Sequence, residues 1–262
     1  MRNDVQQRAF SLVELSIVLV ILGLLTGGIL AGQSLIRAAE LRAVSTEYSR
    51  YAAAVNSFRD KYFAVPGDMA NATKFWGKDA AACNSDPQPA GTPGTCNGTG
   101  DGDVNYATAA NATSEIFQFW KQLALAGLIE GSYSGLSGSA GLYAIEHGTN
   151  APRSRLSNAG WHASTNRNYP GDADNYQYDL ASYFFIGQSP SGTGAVLKPE
   201  EAWNVDTKVD DGRPASGKVI AKFWNNLCAA PDSGAAAFTN LNASYRLSDN
   251  AVRCSLYFTK AF

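Results

Sequence analysis

The run Phe10-Ser-Leu-Val-Glu-Leu-Ser-Ile-Val-Leu-Val-Ile-Leu-Gly-Leu-Leu25 places one carboxylate, Glu14, inside an otherwise apolar stretch. From Phe10 to Ile36 no other side chain is charged. An acid in hydrocarbon costs roughly 2.5 kcal/mol or more, so such a residue needs a partner at some stage of the protein's life. Residues 15–36 supply the roughly 20 apolar positions that a membrane-spanning helix requires. A secretory signal has a shorter apolar core with its cleavage site after it. A plain membrane anchor has no use for Glu14.

The segment resembles the class III signal peptide of type IV pilins and type II secretion pseudopilins. The resemblance rests on the leader at 1–9 with Arg2 and Arg8, the small-residue-to-Phe junction, Ser-Leu-Val-Glu-Leu and the long apolar run. It implies cleavage between Ala9 and Phe10 by a prepilin peptidase and N-methylation of Phe10. It also implies pairing of Glu14 with the Phe10 amine of a neighbouring subunit. Two positions depart from the family. Ala9 stands where Gly is usual, and Ala31 stands where most members carry a helix-breaking proline. Gly27, Gly28 and Gly32 lie nearby and weaken the helix by about 1 kcal/mol each relative to Ala; they also permit close approach of another helix.

Charged residues make up 17% of the 262-residue chain and the net charge is −2, so no basic face points to a nucleic acid. Four cysteines, Cys83, Cys96, Cys228 and Cys254, follow the apolar segment. An even count on an exported side predicts disulfides, and four cysteines permit three connectivities. Local pairing, Cys83 with Cys96 and Cys228 with Cys254, is expected, because the first pair flanks a Pro/Gly-rich loop with no core of its own. A zinc site competes, but no C-x-x-C or neighbouring His supports it.

No proline occurs before Pro66, so residues 10–65 read as one helix. Its first part, 10–36, is apolar all round. Over 37–65, Leu41, Val44, Tyr48, Tyr51, Val55, Phe58 and Tyr62 recur at helical spacing, with Arg42, Glu47, Arg50 and Arg59 between them. The head, 66–262, is predicted to carry helices at 114–130, closed by Gly131, and at 199–209, opened by Pro199. Strands are predicted at 142–146, 176–186, 218–224, 243–247 and 254–259. This order gives an α+β fold, with an antiparallel sheet on the second half of the long helix. The phrases Phe58-Arg-Asp-Lys-Tyr-Phe-Ala-Val-Pro-Gly-Asp68 and Val205-Asp-Thr-Lys-Val-Asp-Asp-Gly212 are similar to a bacterial subgroup of larger pilin-like proteins.

In Asn97-Gly-Thr-Gly-Asp-Gly-Asp103, oxygen-bearing side chains alternate with glycines. Asn97, Thr99, Asp101 and Asp103 are therefore the candidate calcium ligands. Position twelve of an EF-hand would be Thr108, so the loop is not one, and a self-bonded turn is the alternative. Asp206, Asp210 and Asp211 form a second cluster, which reads as a turn closed by Gly212, with a compensating cation (Lys208, Arg213 or a metal) as the alternative; Asp172 and Asp174 read likewise. No nucleophile elbow, P-loop or paired histidine motif occurs, so no catalytic residues are assigned and an enzyme is not expected. The resemblance implies a structural subunit, a minor pilin or pseudopilin, needing no cofactor unless calcium binds. Its partners would be homologous pilin subunits, prepilin peptidase and the bacterial inner membrane. It would be single-pass with its head outside the cytoplasm, then part of a pilus or a periplasmic pseudopilus, with adhesion among the roles of surface pili. A membrane-anchored extracytoplasmic binding protein or enzyme that does not assemble is the alternative.

Overall fold

The proline-free interval forms one helix, α1 (Leu12–Tyr62). The computed structural model describes residues 11–83, 85–105, 114–141, 144–166, 180–189, 194–222, 227–230 and 241–262. The chain divides into two units, Met1–Glu40 and Leu41–Phe262, and α1 contributes to both. In the first unit the large apolar side chains are exposed; Leu12, Leu24 and Leu35 are 85%, 73% and 74% accessible. Among the described residues, α1 is the one helix long and apolar enough to cross a membrane. A Cβ built at Gly23, Gly27, Gly28 or Gly32 would meet nothing within 4 Å.

The second unit is the head. After α1 it contains α2 (Thr73–Trp76), α3 (Glu115–Leu125), β1 (Gly160–Asn166), β2 (Ala181–Gly187) and α4 (Pro199–Val209). These are followed by β3 (Val219–Lys222), β4 (Ala229–Ala230), β5 (Ser244–Tyr245) and β6 (Ser255–Thr259). Four strands form an antiparallel sheet in the order β1-β2-β6-β3, and β4 pairs with β5. The fold is α+β, with a long N-terminal helix, short extra helices and two disulfides.

Partners in register share a face of a sheet. Trp161, Ala163, Phe184, Ile186, Leu256, Phe258, Val219 and Ala221 therefore line one face. The later turns of α1 meet that face through Tyr48 and Tyr51, and Val44, Ala54, Val55 and Phe58, buried at helical spacing, belong to the same core. Tyr48 stacks on Phe258 at 4.6 Å, and Tyr51 meets Trp120 and Trp161 edge-on at 5.1 and 5.7 Å. Such aromatic pairs contribute about 0.5–1.5 kcal/mol each beyond their area. His162, Phe185, Tyr257 and Ile220 share the opposite face and are buried too.

Glu47 does not lie on a solvated stripe. It is buried, and its carboxylate accepts from Ser154 Oγ (2.6 Å), Arg155 N (2.8 Å) and Trp161 Nε1 (2.7 Å). A loop and a strand far along the chain are thereby fixed to α1.

Several boundaries differ from the sequence expectation. α3 stops at Leu125 because Gly127, at φ +72°, takes the left-handed position; Leu128 N donates to Leu123 O and Gly127 N to Ala124 O. That paired closure is the Schellman arrangement, so Gly127 rather than Gly131 ends the helix. Residues 144–146 form no strand, because the Asn150 side chain occupies their backbone groups. It accepts from Glu146 N (2.8 Å) and donates to Ala144 O (3.0 Å). Residues 142–143, 176–179 and 223–224 of the expected strands lie outside the described residues, as do Asp172 and Asp174. Cys83 bonds Cys96 and Cys228 bonds Cys254, with Cα separations of 5.8 and 5.1 Å.

Candidate functional site

Ser11 and Glu14 open α1 with a reciprocal cap. Ser11 N donates to Glu14 Oε2 at 2.8 Å, and Glu14 N donates to Ser11 Oγ at 3.2 Å. Ser-x-x-Glu is the capping-box spacing, which satisfies two of the amides a helix start leaves unpaired. Glu14 thus holds its carboxylate at the positive end of the helix dipole, where an anion is favoured. Ala9 and Phe10 lie outside the described residues. What this arrangement offers chemically is one carboxylate at the head of a long apolar helix, poised to pair with a cation.

The glycine loop closes on two carboxylates that the sequence did not single out. Asp68 Oδ1 accepts from Gly100 N (2.6 Å), Asp101 N (3.1 Å) and Thr99 Oγ1 (3.2 Å), while Oδ2 accepts from Gly102 N (2.9 Å). Glu115, at the start of α3, accepts from Thr99 N (2.7 Å), Thr99 Oγ1 (2.9 Å) and Asn105 N (2.9 Å). Burial raises the Glu115 pKa; the bonds from Thr99 and Asn105 pull it back, and Asp68 pushes it up further. Gly67 and Gly98 permit the close approach, since a Cβ on either would collide with backbone of α3 or of the Gly67–Asp68 turn.

Of the four predicted ligands, only some converge. Asn97 turns to other partners, accepting from Thr73 N and donating to Asp86 Oδ2, both at 2.9 Å. Thr99 joins Asp68 and Glu115, and Asp101 accepts from Asp103 N (2.9 Å). The carboxylate oxygens of Asp68, Asp101 and Glu115 lie within 4.8 Å of one another. Successive backbone amides already supply Asp68 with the positive partial charge that a cation would bring.

In the second cluster, the carboxylate oxygens of Asp206, Asp210 and Asp211 also lie within 4.8 Å of one another. Asp206 is fully buried and accepts from Tyr245 Oη (2.8 Å) and Gly212 N (3.2 Å). Burial raises its pKa to about 7; those two bonds oppose the shift, and Asp211 and Asp210 add to it. Both histidines are held neutral. Burial and then the charge of Arg153 lower His147 to about 4, and burial and then His147 lower His162 to about 3.

Comparison with known protein families matches residues 5–30 to the prokaryotic N-terminal methylation motif. The chain carries the pilin-type methylation motif. It spans the Ser11–Glu14 cap and the apolar turns that follow, and it is the signature of type IV pilins and pseudopilins. Together with α1 it supports a type IV pilin-like protein, and proteins with this motif are typically structural. The motif implies, in general, processing by prepilin peptidase and assembly with other pilin subunits. With an apolar N-terminal helix it fits membrane anchoring with the head outside the cytoplasm. No curated protein and no solved structure matches the chain significantly.

Within the methylation motif, Ser11 is the residue the sequence reading passed over, although Ser-x-x-Glu before an apolar run is a legible helix start. Asp68 had a weaker signal, its place in Pro66-Gly67-Asp68. Glu115 had almost none beyond its position in the first turn of α3.

Proposed function

We propose that this chain is a minor pilin or pseudopilin, a filament subunit stored in the bacterial inner membrane. The observation that carries the reading is Glu14, a lone charge in the first turn of an apolar helix inside the methylation motif. Cleavage between Ala9 and Phe10 creates a Phe10 ammonium, which is then N-methylated. Glu14 of one subunit leaves its cap on Ser11 and neutralises that ammonium on a neighbour, setting axial register. In a medium of low dielectric an unpaired charge is costly and a paired one is directional. Gly27, Gly28 and Gly32, where an added Cβ would meet no described atom within 4 Å, allow helices to approach closely.

Ala31 in place of the usual proline, and the large head, favour a minor subunit or a pseudopilin over an abundant major pilin. The role is structural rather than enzymatic and needs no cofactor. The loop at 97–103 serves as a turn folded on Asp68 and Glu115 instead of a calcium site. The deciding experiment is the intact mass and N-terminal sequence of the protein taken from its native membrane. A chain beginning at N-methyl-Phe10 is expected. A chain beginning at Met1, or cut after the apolar run, would remove the filament mechanism and favour an anchored or secreted binding protein.

A further inference from the structure

A pocket of about 460 Å³ in the head shares no residue with the acidic loop; Glu146, His147, Arg153, Leu156, Asn158 and Gln188 line it. His147 is only 8% exposed, and its buried Nε2 has no hydrogen-bond partner. A buried polar atom left unpaired calls for an explanation. The ring packs against Gly160, where a Cβ would collide with it. Nε2 thus has at best a weak C–H donor, which assigns the single proton of the neutral ring to Nδ1. Among the described residues Nδ1 makes no hydrogen bond, and with His147 in the pocket wall it is the donor the ring has left for a ligand.

Arg153 is exposed, and among the described residues its guanidinium has no ion pair or hydrogen bond. It presents a planar fork of donors that matches the two oxygens of a carboxylate. Asn158 and Gln188 add side-chain amides to the same wall. Glu146 stands there too, bonded through Oε1 to Ser139 N (2.7 Å) and Ser139 Oγ (2.8 Å). Its negative charge penalises a dianion more than a monoanion. We infer that this pocket binds a small monocarboxylate, Arg153 clamping both oxygens and His147 Nδ1 donating beside them. A simple organic acid and an amino acid share that chemistry.

The chain has only two histidines, and His162 is 3% exposed, so it serves as an internal control. The full chain in detergent, labelled with ¹³C in histidine, is titrated with sodium acetate against sodium chloride at equal ionic strength. A saturable shift of the His147 ring signal with acetate alone is expected, with His162 unmoved. Arg153→Gln should raise the apparent Kd by about ten-fold or more, as loss of a charge-assisted bidentate pair implies. L-alanine binding more tightly than acetate, with the gain lost in Glu146→Gln, assigns an amino acid; equal binding assigns a simple organic acid. The inference is overturned by an unmoved His147 signal, by an equal response to chloride, or by tighter binding of inorganic phosphate. Unchanged acetate affinity in a folded Arg153→Gln variant overturns it as well. The acetate and chloride arms on the wild-type chain decide the question even where that variant fails to fold.

Discussion

Replacing Glu47 by alanine removes a buried acceptor on which Ser154 Oγ, Arg155 N and Trp161 Nε1 converge at 2.6, 2.8 and 2.7 Å. Ser154 can rotate toward another acceptor, but the fully buried Trp161 indole cannot; the Arg155 amide belongs to an exposed residue and its bond is part-buried. Leaving the buried indole unpaired costs about 1–3 kcal/mol and losing the part-buried amide bond about 0.5–1.5 kcal/mol, so the loss is about 2–4 kcal/mol. The vacated side-chain volume adds to it in the same direction. For a domain of this size 1 kcal/mol moves Tm by about 2–4 °C, so a fall of roughly 4–16 °C is expected. Glu47→Gln keeps one carbonyl oxygen and the shape, and should lose roughly half as much. The assay is thermal unfolding of the full chain in detergent, followed by tryptophan fluorescence, because Trp161 itself reports on the site. A fall of less than about 3 °C in Glu47→Ala would refute the claim that this acceptor fixes the strand to the helix.

Glu14→Ala should leave membrane insertion intact. Breaking a pair in low dielectric costs about 3–5 kcal/mol, so filament yield should drop by roughly 100- to several-thousand-fold; normal yield in sheared filaments would count against the pairing. Asp206→Asn tests the raised carboxyl. Its folded pKa lies above the unfolded value, so the stability it contributes is present below about pH 4 and lost as pH rises through about 7. The variant should match wild type near pH 4 and exceed it at pH 8 by up to about 4 kcal/mol; equal Tm values at pH 8 would contradict the burial argument. His147 and His162 act with the opposite sign. Held neutral, they contribute full stability above about pH 6.5 and lose it as pH falls toward about 4 and 3, so His147→Gln should flatten the acid limb of a Tm-against-pH curve. Millimolar calcium or chelator should shift Tm by less than about 1 °C, whereas a rise of several degrees would reassign Asp68, Asp101 and Glu115 as a cation site.

The parts of this fold that sequence could disclose are those governed by one-dimensional rules. Absence of proline sets the extent of α1, Pro199 opens α4 at its observed first residue, and cysteines flanking a coreless loop sit close enough to bond. β1 escaped because both of its faces are buried while its residues, Gly160-Trp-His-Ala-Ser-Thr-Asn166, are neither a hydrophobic run nor an alternating one. A strand was expected at 144–146 because the composition suits one, and Asn150 overrides it through bonds no propensity encodes. The acidic loop was visible as oxygen-bearing residues between glycines. The two carboxylates that organise it arrive from the turn after α1 and from the start of α3, and their meeting is a tertiary fact.

Glu14 and Glu47 show where that boundary falls. Both sit in α1, and helical spacing alone gives them similar standing. Glu47 is saturated within the chain by an indole, an amide and a hydroxyl, so its value is spent on folding and nothing remains for a partner. Among the described residues Glu14 accepts only from the Ser11 amide, a local bond formed by the same turn and exposed. Exchanging one local neutral donor for a cation gains charge-assisted strength without breaking tertiary structure. On the proposed pairing, an acid that serves another subunit has to be satisfied this weakly. A Glu14 held by three buried donors would be as stable as Glu47 and equally unable to assemble.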